Sequence, residues 1–302
     1  MISSFTSVKY TNSHYPTILI KGMLMGIADL IPGVSGGTIA LITGIYKDLI
    51  SSLNNINFKN ISKNLFTNFK SYKFDFLSVL VIGIGLSIIL FSNIILFLLE
   101  NYNNEISSFF FGLIICSIYV LLKKIKTFKI YDIFVLIFSS FLIFQLLKLN
   151  SLEQEINLTY VFICGFLCSC AMILPGISGS YILLILGAYQ FILKKLNDVF
   201  TEGSDSYLYV ITFILGAILG VVTFSRIIKW LFKNFENRTL IVLIGFILGS
   251  VLNILPYKTE NNESMTSFLN FFKNDFSLIL WVLLGFVVII ILNVISKKNE
   301  IL

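Results

Sequence analysis

Charge is scarce in this sequence. Only 13% of its 302 residues are Asp, Glu, Lys or Arg, about half the share found in soluble globular domains. Hydrophobic residues make up 57%, and the mean hydropathy is +0.91. That balance excludes an ordinary soluble fold and points to an integral membrane protein. Histidine is scarcer still, with His14 alone in a polar N-terminal stretch. The four cysteines, Cys116, Cys164, Cys168 and Cys170, lie in apolar runs and form no CxxC pair. Structural zinc needs converging thiolate or imidazole ligands, so no metal, disulfide or cofactor is expected. Residues 1–16 lack an apolar stretch followed by a small-residue cleavage site, so no removable signal peptide is expected either. The formal net charge of +6 follows the loops, which makes it a topology signal and not the basic patch of a nucleic-acid binder.

Proline is rare as well. Two of the four prolines occupy matched places in one segment that the chain contains twice. Ala28-Asp29-Leu30-Ile31-Pro32-Gly33-Val34-Ser35-Gly36-Gly37-Thr38 returns 143 positions later as Ala171-Met172-Ile173-Leu174-Pro175-Gly176-Ile177-Ser178-Gly179-Ser180-Tyr181. The similarity runs from Gly22 to Tyr46 against Gly165 to Tyr189. It continues at an offset of 133, with Phe91 to Leu98 on Phe224 to Leu231, Gly83 on Gly216, Gly112 on Gly245 and Ser117 on Ser250. Paired hydrophobic segments interrupted by Gly and Pro, in corresponding halves of a membrane protein, point to a substrate site between two repeats.

Long apolar runs at 76–99, 107–122, 131–149, 207–232, 239–256 and 277–296 mostly reach the roughly 20 residues of a spanning helix. The motif segments differ. Each has an apolar arm, a Pro-Gly-x-Ser-Gly turn and a second arm, and arms of about 15 residues cover roughly 22 Å of a core about 30 Å thick. Two re-entrant hairpins are expected, about 17–51 and 158–196, with Pro32 and Pro175 as the breaks. The fold class is therefore an all-α integral membrane protein. It forms one membrane domain over 1–302, built from repeat 1 (17–149) and repeat 2 (158–297), each a hairpin plus three transmembrane helices. A hairpin returns to its own side and three spans cross an odd number of times, so the second repeat is inverted. With the N-terminus cytoplasmic, Lys59, Lys63, Lys70, Lys73, Lys123, Lys124, Lys126, Lys129, Lys229, Lys233, Arg238, Lys297 and Lys298 fall inside. Outside fall five lysines and ten acids, among them Glu100, Glu105, Glu153, Glu155 and Asp198. The positive-inside rule then gives a multi-pass protein with both termini cytoplasmic.

A helix N-terminus presents unpaired N–H groups and partial positive charge, the makings of an anion site. Gly33, Val34, Ser35, Gly36, Gly37 and Thr38, with Gly176, Ile177, Ser178, Gly179 and Ser180, would form two such cradles opening the second arms. Inverted hairpins bring both tips to the midplane around a phosphate or another compact anion. The competing reading is that the turns only break and cap helices, Ser35 or Ser178 being its own helix's N-cap. Two ionisable residues lie deep in apolar sequence, where function is the default expectation. Asp29, matched by Met172, either carries a coupling proton or fixes its turn. Arg226, matched by Asn93, either contacts phosphate or serves structurally, snorkelling beside Lys229 or bridging to Asp29. Tyr46 and Tyr189 read as interfacial belt residues.

These motifs resemble a bacterial membrane family long catalogued as a domain of unknown function and assigned to polyprenyl-phosphate transport. The resemblance runs from Lys21 to about Lys297. It implies a flippase of the bacterial cytoplasmic membrane that returns undecaprenyl phosphate from the outer to the inner leaflet for surface-glycan synthesis, and rocking of one repeat against the other would give it alternating access. The motif residues Asp29 to Thr38 and Leu174 to Tyr181 would then hold the head group. The implied partners are undecaprenyl or a related polyprenyl phosphate and membrane lipids. Proton or sodium coupling and homodimerisation stay open. The runner-up is a carrier or channel for a small soluble anion. An intramembrane lipid-phosphate enzyme is disfavoured, because neither serine has a histidine or acid cluster beside it, and no enzymatic activity is expected.

Overall fold

The computed structural model describes residues 14–31, 34–54, 72–125, 127–149, 155–198, 204–251 and 276–301. Among these residues the chain is helical, without a strand. A backbone surrounded by hydrocarbon must satisfy its N–H and C=O groups within its own segment, which favours helices. In chain order the helices are α1 (Tyr15–Asp29), α2 (Gly36–Ile42), α3 (Tyr46–Asn54), α4 (Tyr72–Asn101), α5 (Asn103–Leu122), α6 (Ile130–Leu146), α7 (Leu158–Ile173), α8 (Gly179–Ile185), α9 (Tyr189–Asp198), α10 (Ser204–Ser250) and α11 (Phe276–Ile301). Stretches within α4, α5, α10 and α11 are long and apolar enough to cross a membrane, and the bent pair α8 and α9 makes up to five. Large side chains such as Ile89, Ile130 and Phe134 stay 75%, 80% and 71% exposed. Surface this apolar fits lipid and not water.

Two features depart from the sequence reading. Each second hairpin arm, expected as one helix, is two short ones. Gly44 (φ 80°) and Gly187 (φ 64°) stand at matched places in the left-handed region, where L side chains are disfavoured, and there the chain turns from α2 into α3 and from α8 into α9. The latter pair is bent by 114°. The expected spans 207–232 and 239–256 share the 47-residue run α10, interrupted only by the non-helical Phe235 (φ −138°, ψ 46°). Residues 252–256 of the second span lie outside the described residues, as do the loop lysines Lys59, Lys63, Lys70 and Lys126. The run at 131–149 yields the 17-residue α6, shorter than a typical span.

Contacts recur in corresponding pairs. α1 packs on α4, and α7 packs on the first arm of α10. In the first pair Gly22 meets Gly83, where a Cβ on either would strike the backbone of the other helix; in the second Gly165 and Gly216 do the same against Phe213 and Phe162. Ser87 lies over Gly26, while Ser169 lies over Gly220, the small residue and the serine having changed helices. α5 pairs with α11, and the second arm of α10 pairs with α6. The breaks match too. Tyr102 (φ −134°, ψ 40°) separates α4 from α5 as Phe235 divides α10. Asn101 Nδ2 donates to the Phe97 carbonyl and Asn234 Nδ2 to that of Trp230, both at 2.8 Å.

The largest core cluster joins α2 and α3 to α5 and the second arm of α10, through Ile39, Ile42, Tyr46, Ile50, Ile114, Leu121 and Ile244. Buried hydroxyls such as Ser117, Ser225 and Ser250 donate to carbonyls three residues back, so polar side chains enter apolar helices without losing their hydrogen bonds. Among the described residues no buried side-chain nitrogen or oxygen lacks a partner.

Candidate functional site where the hairpin tips meet

The two motif segments touch. Thr38, buried at the start of α2, accepts the Gly176 N–H on its Oγ1 at 2.9 Å. Ser35 donates to the Leu174 carbonyl at 3.4 Å, and the buried Tyr46 hydroxyl donates to that of Ile173 at 3.0 Å. The last carbonyls of a helix have no intrahelical partner, so the first hairpin supplies donors to the C-terminal end of α7. Gly37 permits this approach, because a Cβ there would lie 3.2 Å from the Ile173 carbonyl oxygen. Gly176, at φ 84°, meets the Phe246 backbone of α10 so closely that a Cβ would stand 2.7 Å from its carbonyl oxygen.

Around their helix N-termini the two hairpins differ. In the first, Ser35 caps α2 by accepting the Gly37 N–H at 3.2 Å. The Asp29 carboxylate accepts the Gly36 N–H at 2.6 Å. The Asp29 side chain thus occupies the N-terminal end of α2, and every residue of α2 is buried. In the second, Met172 takes the place of Asp29 and lies against Gly179 as Asp29 lies against Gly36. Ser178 does not cap α8. Its hydroxyl instead pairs with that of Ser180 at 2.7 Å, on an exposed surface. Ile177 is buried in a small cluster with Ile143 and Ala171.

Several expectations meet a different arrangement. Pro32 and Gly33 lie outside the described residues, so the first turn is visible only from Val34 onward. Ser35 and Thr38 are only 2% exposed and are engaged with the second hairpin. Asp29 makes no ion pair with Arg226: its carboxylate is on Gly36, and Arg226 stands exposed on α10 without a hydrogen bond or ion pair among the described residues. Tyr46 is no interfacial residue, since its ring is buried against Phe232 and its hydroxyl binds the other hairpin. Tyr189 is half-buried against the small cluster around Val161 and Cys164. Sequence reasoning missed the ion pair between Lys47 of α3 and Glu236 beside the α10 break. It also missed Lys21 donating to the Thr43 carbonyl at 2.8 Å, mirrored by the Tyr160 hydroxyl on the Leu186 carbonyl at 2.6 Å. The Gly-x-Tyr after each motif marks the helix ends that carry Thr43 and Leu186, but no pattern in the sequence signals the ion pair. No group of His, Cys, Asp and Glu suited to a metal occurs among the described residues.

Comparison with known proteins adds independent information. The family model described as "VCA0040-like: Undecaprenyl phosphate translocase-like" matches residues 25–271. A protein of Vibrio cholerae serotype O1 named "Polyprenyl-phosphate transporter" is 38% identical over 249 residues, 81% of this chain and 79% of the relative. A protein of the same name from Staphylococcus aureus is 30% identical over 251 residues, 79% of this chain and 85% of the relative. Both relatives are named as transporters, not as enzymes. No solved structure matches the chain.

Proposed function

Because this chain belongs to the undecaprenyl phosphate translocase-like family, we propose that it moves undecaprenyl phosphate, or a related polyprenyl phosphate, from the outer to the inner leaflet of the bacterial cytoplasmic membrane. The names of its relatives support the cargo class. The direct contact of the two hairpin tips carries the mechanistic part. An anionic head must cross about 30 Å of hydrocarbon, while its isoprenoid tail remains in lipid. The head then needs one polar station between the leaflets, and the two motif turns converge where Thr38 meets Gly176 and Ser35 meets Leu174.

In this reading the repeats 17–149 and 158–297 are inverted, and rocking of one against the other exposes the station to each leaflet in turn. The matched pairs Gly22 with Gly83 and Gly165 with Gly216 support two equivalent units, and the paired breaks at Tyr102 and Phe235 support the same register. The Ser178 and Ser180 hydroxyls meet the phosphate first, since this pair is exposed. Gly36, Gly37 and Thr38 complete the cradle when the repeats move apart. Arg226, exposed and without a partner among the described residues, adds a bidentate contact for the phosphate during transit. Asp29 is the coupling group. Protonation removes the charge that holds the Gly36 N–H, which frees the α2 N-terminus for the incoming anion.

The test is a leaflet-resolved assay in proteoliposomes with labelled undecaprenyl phosphate. Protein-dependent movement that survives excess inorganic phosphate supports a lipid carrier. Uptake of inorganic phosphate without lipid movement would favour a small-anion carrier, and release of inorganic phosphate from the lipid would favour an enzyme. Asp29→Asn that transports with unchanged pH dependence would remove the proton role.

A further inference from the structure

The break at Phe235 leaves a cleft between the two arms of α10, with a volume of about 450 Å³. Phe224, Ile227 and Leu231 line one wall, and Val242, Leu243 and Phe246 the other. Leu174, whose carbonyl accepts the Ser35 hydroxyl, closes the deep end. The mouth holds one charged residue, Arg238. Phe235 lies eleven positions after Phe224, which at the helical rise gives a depth of about 16 Å, or roughly half of a 30 Å hydrocarbon core. The cleft therefore has one leaflet's depth, an apolar interior continuous with the hairpin contact, and a cation at its rim.

Arg238 is held ready at that rim. Its guanidinium lies 5.5 Å from the Tyr131 ring centre and 6.0 Å from that of Phe235, and its Nη2 donates to the Tyr131 hydroxyl at 3.4 Å. Two rings and one hydroxyl thus surround the guanidinium, and among the described residues most of its five donors stay free for an oxyanion. Of the neighbouring acids, Glu236 pairs with Lys47, while Asp132 accepts the Lys129 N–H and adds a weaker electrostatic attraction to Arg238. At the matched offset of 133, the residue beside the Tyr102 break is Glu105, so the other half of the molecule offers an acid where this half offers a cation.

We infer that this cleft is the inner-leaflet docking site of the polyprenyl phosphate, with the phosphate on Arg238 and the first isoprene units between the arms of α10 as far as Leu174. The inference rests on the cargo proposed for the hairpin tips. It separates two stations along one path: the tip contact, where the head crosses, and the Arg238 rim, where the head rests at the inner surface. One slot between two helices fits a single chain better than a diacyl lipid, and Glu105 makes the site one-sided.

The experiment uses the full chain in proteoliposomes and a polyprenyl phosphate carrying a diazirine in its first isoprene units, with adducts mapped by mass spectrometry and translocation measured in parallel. The expected adducts fall on Ile227, Leu231 or Val242 and are displaced by unlabelled polyprenyl phosphate but not by polyprenol or phosphatidylglycerol. Arg238→Gln should weaken that displacement about tenfold, the loss of one charge-assisted contact, whereas Glu105→Gln leaves it unchanged. Val242→Trp should remove the adducts by filling the cleft, with Leu231→Trp as a second filler should the first misfold. Equal displacement by phosphatidylglycerol would make this a groove for ordinary lipid. Adducts confined elsewhere, with translocation intact in the filled variants, would overturn the docking site and leave the transport reading standing. Wild-type protein that is folded, translocates nothing and takes no label would overturn both.

Discussion

The two hairpins share a backbone plan but not their surroundings. Asp29 and Met172 lie against the matched glycines Gly36 and Gly179, one a carboxylate accepting a helix N–H, the other a thioether. α2 is buried along its whole length, whereas α8 buries Gly179, Leu183 and Ile185 and exposes Ser180. The first tip, as far as it is described, is closed into the core, and the second buries Gly176, Ile177 and Gly179 but leaves its serine pair accessible. A motif that occurs twice therefore need not act twice in the same way. One copy can hold the site together while the other meets the ligand.

That contrast can be broken at single atoms. The largest loss of stability is expected for Gly176→Ala, which forces an alanine into the left-handed region and towards the Phe246 carbonyl. It should cost at least about 2 kcal/mol and appear as a lower thermal midpoint or lost expression. Next is Thr38→Val, isosteric but unable to accept the Gly176 N–H. A buried donor left unpaired costs about 1–3 kcal/mol, and Thr38→Ser should recover most of it. Asp29→Asn keeps the shape and replaces a charge-assisted bond by a neutral one, for a loss of about 1 kcal/mol. Its matched change, Met172→Asp, sharpens the comparison by placing an anion at the open tip: transport should fall while the melting midpoint barely moves. The serines give the smallest stability effects and divide by hairpin. Ser35→Ala loses an N-cap worth about 1 kcal/mol, and Ser178→Ala should stay within about 0.5 kcal/mol while slowing transport more.

Much of this was legible in the sequence because a membrane simplifies the code. Scarce charge and long apolar runs suffice to give helices, and the family was readable from the two Pro-Gly-x-Ser-Gly turns. The glycines matched at offsets of 143 and 133 also stand at close helix approaches, Gly22 on Gly83 in one half, and Gly165 on Phe213 with Gly216 on Phe162 in the other. What escaped has physical reasons. Gly44 and Gly187 turn the second arms because of backbone conformation, which hydropathy does not register. The polar stretch from Lys233 to Arg238 reads as a loop between two spans, yet it contains no Gly or Pro and the helix is interrupted only at Phe235. The burial of Tyr46 and the pairing of Lys47 with Glu236 depend on which helices meet, a matter of packing that a single chain's periodicity does not carry.

The central claim is that the head of a polyprenyl phosphate passes the contact between the hairpin tips by way of the open second tip. The most direct measurement is the leaflet-resolved rate for labelled undecaprenyl phosphate in proteoliposomes, comparing wild type with Ser178→Ala/Ser180→Ala at equal amounts of folded protein. The account predicts protein-dependent movement that falls at least about tenfold in the double variant, as expected when two hydroxyl contacts to a charged group are lost. Wild-type rates in the double variant, or no movement by folded wild-type protein with and without a pH gradient, would contradict it.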